Sequence, residues 1–124
     1  MNKETGIKES NGKTRWSLIP FKALEHVARV LNFGATTKYA PDNWKQVQNK
    51  APYLDAIVRH WEKYVNGEEL DSESQESHLA CVICNALFLL DDRDSKKDMP
   101  FNEYIKHLTA YDDYTKSVDI TKLK

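Results

Sequence analysis

The sequence predicts an all-α protein, a small bundle of about four helices. Apolar residues recur at helical spacing in four separate stretches of the 124-residue chain. No convincing run of alternating apolar and polar residues marks a strand. Proline, glycine and Asn-Gly pairs fall at the ends of the periodic stretches, where a helix must start or stop. No internal repeat is visible.

Residues 1–10 mix Lys, Glu, Asn and Gly and are expected to form a flexible arm. A single helical domain then spans 11–118, and 119–124 form a loose tail. Asn11-Gly12 favours a turn. Arg15-Trp16-Ser17-Leu18-Ile19-Pro20 reads as an extended segment lying over the domain. Pro20 suits a helix start. Phe21, Leu24, Val27, Ala28 and Leu31 repeat at helical spacing behind it, with Glu25, Arg29 and Asn32 on another face, and Gly34 is the expected terminator.

Residues 33–50 are the least regular stretch. Pro41-Asp42-Asn43 with Tyr39 and Trp44 reads as a loop with a short helical turn, packed down and available as a ligand wall. Pro52 opens a second long helix. Tyr53, Leu54, Ile57, Val58, Trp61, Tyr64 and Val65 form its apolar stripe, and Asn66-Gly67 closes it. Residues 68–75 read as an acidic linker in which Ser72 or Ser74 could cap the next helix; Asp71 and Glu73 could lean in from it toward a metal, but a solvated loop is the favoured reading. His78, Leu79, Val82, Ile83, Ala86, Leu87 and Leu90 form the surface of a third helix apolar enough for burial on more than one side. A charged break is expected over 91–98. Asp98-Met99-Pro100 then starts a fourth helix through Phe101, Tyr104, Ile105, Leu108 and Tyr111.

Composition narrows the function. Forty percent hydrophobic and 30% charged residues describe a folded domain rather than a disordered chain. A formal net charge of -1 provides no global field for nucleic acid or membrane, so any polyanion must be held by a local basic cluster. Cys81 and Cys84 have CxxC spacing, but they sit in an apolar helical run without a second pair, so buried reduced thiols are expected. No signal peptide and no membrane-spanning apolar run is visible, and a cytoplasmic setting fits. Trp61 and the segment 87–90 offer more apolar surface than a small bundle needs, which points to a homo-oligomer.

Two helices carry polar groups beside their apolar stripes. Asp55, Arg59 and Glu62 stand at i, i+4 and i+7 on one face of the second helix, with His60 nearer the apolar edge. His78, Cys81 and Asn85 share a face of the third. The plain reading is a solvated Asp-Arg pair, a solvent-facing Glu62 and a His60 hydrogen-bonded inside the packing. Asn85 could cap a backbone group, bridge to Asp55 or touch a ligand. The functional reading turns Asp55 and His78 toward one cavity. Asp55, Glu62 and His78 would then hold Mg²⁺ or Mn²⁺, and the ion would polarise a phosphate or activate water. Lys13, Arg15, Lys38 and Arg59 could neutralise phosphates, and Trp16, Tyr39 or Trp44 could stack on a base. The chain has no Gly-rich phosphate loop, so side chains would hold the nucleotide.

Several ordered motifs resemble the dATP/dGTP diphosphohydrolase N-terminal domain family, common in bacteriophages. They are Gly12-Lys13-Thr14-Arg15-Trp16-Ser17-Leu18-Ile19-Pro20, Phe33-Gly34-Ala35 with Lys38-Tyr39, Asn43-Trp44, Asp55-Ala56 with Arg59-His60, Gly67-Glu68 with Asp71, and His78-Leu79-Ala80 with Asn85-Ala86-Leu87. They cover about residues 11–90. That family looks related to the MazG-like and dUTPase-like all-α pyrophosphohydrolases, which are usually oligomeric and Mg²⁺-dependent and split a nucleoside triphosphate into monophosphate and pyrophosphate. The resemblance implies that Asp55, His60, His78 and Asn85 line a catalytic site. It also implies that Arg15, Lys38 and Arg59 meet phosphates, and that Asn43 and Trp44 form the nucleotide wall. The acidic EExxE and ExxD pairs of MazG-like enzymes are absent, and Cys81 stands where the closer family is expected to carry His. A nucleotide-sequestering phage protein, acting on a nucleotide signal in host defence, is the alternative. A helical interaction module with an incidental polar seam is the third reading.

Overall fold

The computed structural model describes residues 5–110. Within them four α-helices follow one another: α1 (Phe21–Thr37), α2 (Ala51–Val65), α3 (His78–Ser95) and α4 (Phe101–Thr109). Short 3-10 turns at Trp16–Leu18 and Asn43–Lys45 precede α1 and α2. No strand occurs among the described residues, only an isolated antiparallel bridge between Leu70 and Ser77. The all-α expectation therefore holds.

The helix α3 lies at the centre and packs on both α1 and α2. Val27, Ala80 and Cys84 are buried together, with Val30 and Phe88 against them. Ala80 and Cys84 are small, which lets the backbones approach closely. Apolar side chains of α3 nonetheless face solvent, Leu90 being 61% exposed. No described helix is long and apolar enough to cross a membrane.

Three boundaries differ from the sequence reading. The helix α1 runs through Gly34 to Thr37. Thr36 Oγ1 donates to Asn32 O and Thr37 Oγ1 donates to Phe33 O, so both hydroxyls bond back onto the preceding turn and are satisfied within the helix. Gly34 O then accepts from both Lys38 N and Tyr39 N, which closes the helix one turn after the glycine. The helix α3 is capped by Ser77, whose Oγ accepts from Leu79 N at 3.1 Å, rather than by Ser72 or Ser74. It also continues past Leu90 to Ser95, because no breaker interrupts Asp91-Asp92-Arg93 and the buried Asp92 finds partners for both carboxylate oxygens. Tyr104 Oη donates to Asp92 Oδ2 at 2.9 Å, and Lys96 Nζ pairs with Asp92 Oδ1 at 2.9 Å. The end expected for α4 at Tyr111 and the tail at 119–124 lie outside the described residues.

The expected linker at 68–75 is an ordered reversal rather than a solvated tether. Gly67 has φ +100, a conformation that glycine adopts without steric penalty. Gly67 N donates to Tyr64 O and Glu68 N to Lys63 O, which satisfies the carbonyls at the end of α2. Asp71 N then donates to Glu76 O at 2.8 Å, and the bridge at Leu70 and Ser77 closes the loop. This turn returns Glu68 and Asp71 to the first residue of α3.

Candidate functional site

An open cleft of about 1230 Å³ lies between α1, α2, α3 and the loop that follows α1. From α2 it takes Tyr53, Ala56, Arg59, His60 and Lys63. Helical geometry advances each residue by about 100°, so these positions share one face. The same geometry explains where Asp55 and Glu62 go. They sit about 100° from the centre of that face, they are exposed, and they do not line the cleft. The expectation that Asp55 faces a common cavity with His78 is not met. Lys13, Arg15 and Trp16 lie exposed before α1 and are not in the cleft wall either.

The carboxylate that stands with both imidazoles is Asp71. His60, Asp71 and His78 each offer one ligand atom, and these atoms all lie within 4.8 Å of one another. Asp55 and Glu62 are therefore replaced in the candidate metal set by a residue from the reversal. His78 is completely buried. Its Nδ1 lies 2.8 Å from His60 Nδ1, and its Nε2 lies 2.6 Å from Glu68 Oε2. Asp71 Oδ2 accepts from Ser74 N at 2.9 Å and from Ser74 Oγ at 3.0 Å.

Burial lowers the His60 pKa, and the His78 imidazole adds to the effect, so the ring is biased toward its neutral, ligating form. Burial pushes the Asp71 carboxyl up. The two Ser74 hydrogen bonds, with His60 and His78 nearby, outweigh this and hold it below the usual carboxylate value. Burial pushes Cys81 up to about 11 and Cys84 up to about 12, so both are neutral, unreactive thiols at physiological pH. That matches the expectation for the CxxC pair. The donor chemistry of His60, Asp71 and His78 fits a divalent cation with positions left for oxygen ligands.

The phosphate-binding candidates divide in the same way. Lys38 and Arg59 line the cleft, and Lys63 joins them. Lys38 Nζ is held by Glu73 Oε1 at 2.7 Å, and that hydrogen bond raises its pKa. Asn43 and Trp44 also line the cleft. Trp44, however, stacks on Phe88 with ring centroids 4.7 Å apart, so part of its π-surface is already used. Tyr39 is 56% exposed at the cleft and is the freer aromatic. Asn85 Nδ2 donates to Cys81 O at 2.8 Å, one turn back along α3, which leaves the amide oxygen for the cleft that Asn85 lines. No bridge to Asp55 forms.

Glu68, Asp71 and Lys63 were missing from the site drawn by helical spacing. The signal for Glu68 and Asp71 was present in the resemblance motifs, where Gly67-Glu68 and Asp71 stand between the two helices; Lys63 had none there. A family model described as dATP/dGTP diphosphohydrolase, N-terminal, matches residues 3–100. The chain belongs to the dATP/dGTP diphosphohydrolase N-terminal family. A dATP/dGTP diphosphohydrolase of Salmonella phage PMBT28 is 35% identical to it over 97 residues, which is 76% of this chain. The match covers 33% of that relative, so this chain spans about a third of its length. No solved structure matches the chain. The family match runs through every cleft residue named above, from Lys38 to Asn85.

Proposed function

We propose that the chain binds a purine deoxynucleoside triphosphate in this cleft and hydrolyses it to the monophosphate and pyrophosphate. The observation that carries the reading is the convergence, on one cleft, of three cationic arms with His60 and Asp71, behind which the buried His78 completes the ligand group. The name of the phage relative supplies the substrate class. Arg59, Lys38 and Lys63 neutralise the phosphates through charge-assisted hydrogen bonds. Tyr39 offers a ring to the base, and Asn43 and the oxygen of Asn85 offer polar contacts. Water attacks the α-phosphorus, the bond from that phosphorus to the bridging oxygen breaks, and pyrophosphate leaves with its pair of electrons. His60, Asp71 and His78 would hold the divalent ion, and of the two that the resemblance implies their imidazole donors suit Mn²⁺ better than Mg²⁺; the ion would supply Lewis-acid polarisation of a phosphate oxygen. Glu68 fixes the orientation of His78 from behind.

The reading extends to self-association. Trp61 on α2 is 50% exposed and Leu90 on α3 is 61% exposed, which supports a homo-oligomer built on these faces. Light scattering on the purified chain tests this; a monomer at all concentrations rejects it.

A second reading is binding without turnover, which would sequester a nucleotide. It is favoured by the placement of Asp55 and Glu62 outside the cleft, which leaves Asp71 the lone carboxylate in the ligand group. One experiment separates the two. The chain is incubated with dATP, dGTP and their ribonucleotide counterparts in the presence of Mg²⁺ or Mn²⁺, and products are resolved by chromatography. Monophosphate and pyrophosphate support hydrolysis. Stoichiometric recovery of intact bound nucleotide supports sequestration, and no binding of any member rejects both.

A further inference from the structure

We infer that His60, Asp71 and His78 form a binding site for a nitrogen-accepting transition-metal ion, of the Mn²⁺, Fe²⁺, Co²⁺ or Zn²⁺ class, and that the site discriminates against Mg²⁺. This deepens the metal assignment on which the proposed hydrolysis rests, and its test stands on the side chains alone. Mg²⁺ demands near-octahedral oxygen ligation, and two of the three donors here are imidazoles. Two imidazoles and one carboxylate with open positions suit first-row transition ions instead.

The geometry is that of neighbouring ligands. Two nitrogens bound to one ion at about 2.0–2.1 Å stand about 3 Å apart when the angle between them is near 90°. His60 Nδ1 and His78 Nδ1 are 2.8 Å apart. The tautomer of His78 is already suited to ligation. Glu68 Oε2, 2.6 Å from Nε2, keeps the proton there and leaves a lone pair on Nδ1. Without the ion, His60 Nδ1–H donates to that lone pair. With it, the His60 proton moves to its own Nε2, and both Nδ1 lone pairs point at the metal. Asp71 is anchored in the same manner. Ser74 occupies Oδ2 twice and leaves Oδ1 for the ion. Each of the three ligands is thus placed by an outer partner or by its helix. His60 lines the cleft, which gives the remaining coordination positions access to oxygen ligands.

The test needs no nucleotide. The full chain is stripped with a chelator, dialysed and titrated with Co²⁺ while its visible ligand-field absorption is followed. One Co²⁺ per chain is expected, displaced by Zn²⁺ and retained against a large excess of Mg²⁺. His60→Ala and Asp71→Asn are expected to abolish the absorption with the helical circular dichroism unchanged. Glu68→Gln, which keeps the shape of the side chain, is expected to weaken Co²⁺ binding by roughly 10- to 100-fold; it decides the matter if His60→Ala does not fold. Three results overturn the inference: no Co²⁺ spectrum, a spectrum unchanged in the variants, or displacement by Mg²⁺ at comparable concentration. A positive metal titration with no nucleotide binding would instead reject the hydrolase reading alone.

Discussion

Arg59 and Lys38 both line the cleft, yet they are not predicted to contribute equally to nucleotide binding. A hydrogen bond from a charged donor to a phosphate stabilises by about 1.5–3 kcal/mol. Arg59 has no ion pair among the described residues, so its truncation loses that contact in full. At 1.4 kcal/mol per decade, Arg59→Ala is expected to weaken binding by about 10- to 100-fold. Lys38 is already paired with Glu73 at 2.7 Å. Both partners are exposed, and such a pair contributes about 0–1 kcal/mol. Reaching a phosphate requires leaving Glu73, so Lys38→Ala should cost about 1 kcal/mol less than Arg59→Ala, a loss nearer 3- to 30-fold. Glu73→Gln removes the competing carboxylate and a negative charge from the cleft edge, and should tighten binding. Isothermal titration of a non-hydrolysable dATP or dGTP analogue, at low and raised salt, measures all three. A larger loss for Lys38→Ala than for Arg59→Ala, or weaker binding in Glu73→Gln, would refute this account of the cleft.

The Tyr104 hydroxyl is held up to about 12 by burial and by its bond to Asp92, so it stays protonated in the fold at pH values where the unfolded chain loses the proton. Its stabilisation is complete below about pH 10 and is lost as pH rises through 10 to 12. Tyr104→Phe should flatten that part of a stability-versus-pH curve and cost about 1.5–3 kcal/mol at neutral pH, measured by urea unfolding. Cys81 and Cys84 should resist a thiol reagent at pH 8 in the native protein and react within seconds once denaturant is added. Rapid native labelling would show that the α3 packing is wrong. Gly67→Ala meets no atom within 4 Å but must keep φ at +100. It should destabilise by about 1–2 kcal/mol and slacken Glu68 on His78, visible as a lower melting temperature; an unchanged melting temperature would count against a strained turn.

Much of the fold was legible because helix periodicity is a local property. Pro52 at the first turn of α2 and the glycine stop at Gly67 worked as punctuation because each acts through its own backbone. Gly34 failed as a stop because glycine inside a helix costs only about 1 kcal/mol, and Thr36 and Thr37 supply hydroxyls that bond back along the helix. Charge failed as a breaker at Asp91-Asp92 because Tyr104, on α4 and distant from a reading of α3 alone, gives Asp92 a buried partner, and Lys96 pairs with it one turn along. For the site, His60, His78 and Asn85 were found from helix faces, Lys38, Arg59 and Trp44 from charge and aromatic content, and Asn43 from the resemblance. Asp55 was assigned to the wrong face because sharing a face with Arg59 does not fix which side of that face turns inward. Arg59 stands at the edge of the cleft wall, and Asp55 falls beyond it.

By itself, the sequence determined that this chain is helical, roughly where each helix begins, that its cysteines are packing groups, and which family its ordered motifs belong to. Those are matters of backbone preference and of local pattern. The tertiary structure alone decided that the carboxylate meeting His60 and His78 is Asp71, that Glu68 sits behind His78, and that Asp55 and Glu62 face away. The reason is the reversal at Gly67. It folds residues 68–71 back onto the start of α3, and no rule of helical spacing can align a side chain in a turn with two imidazoles on separate helices.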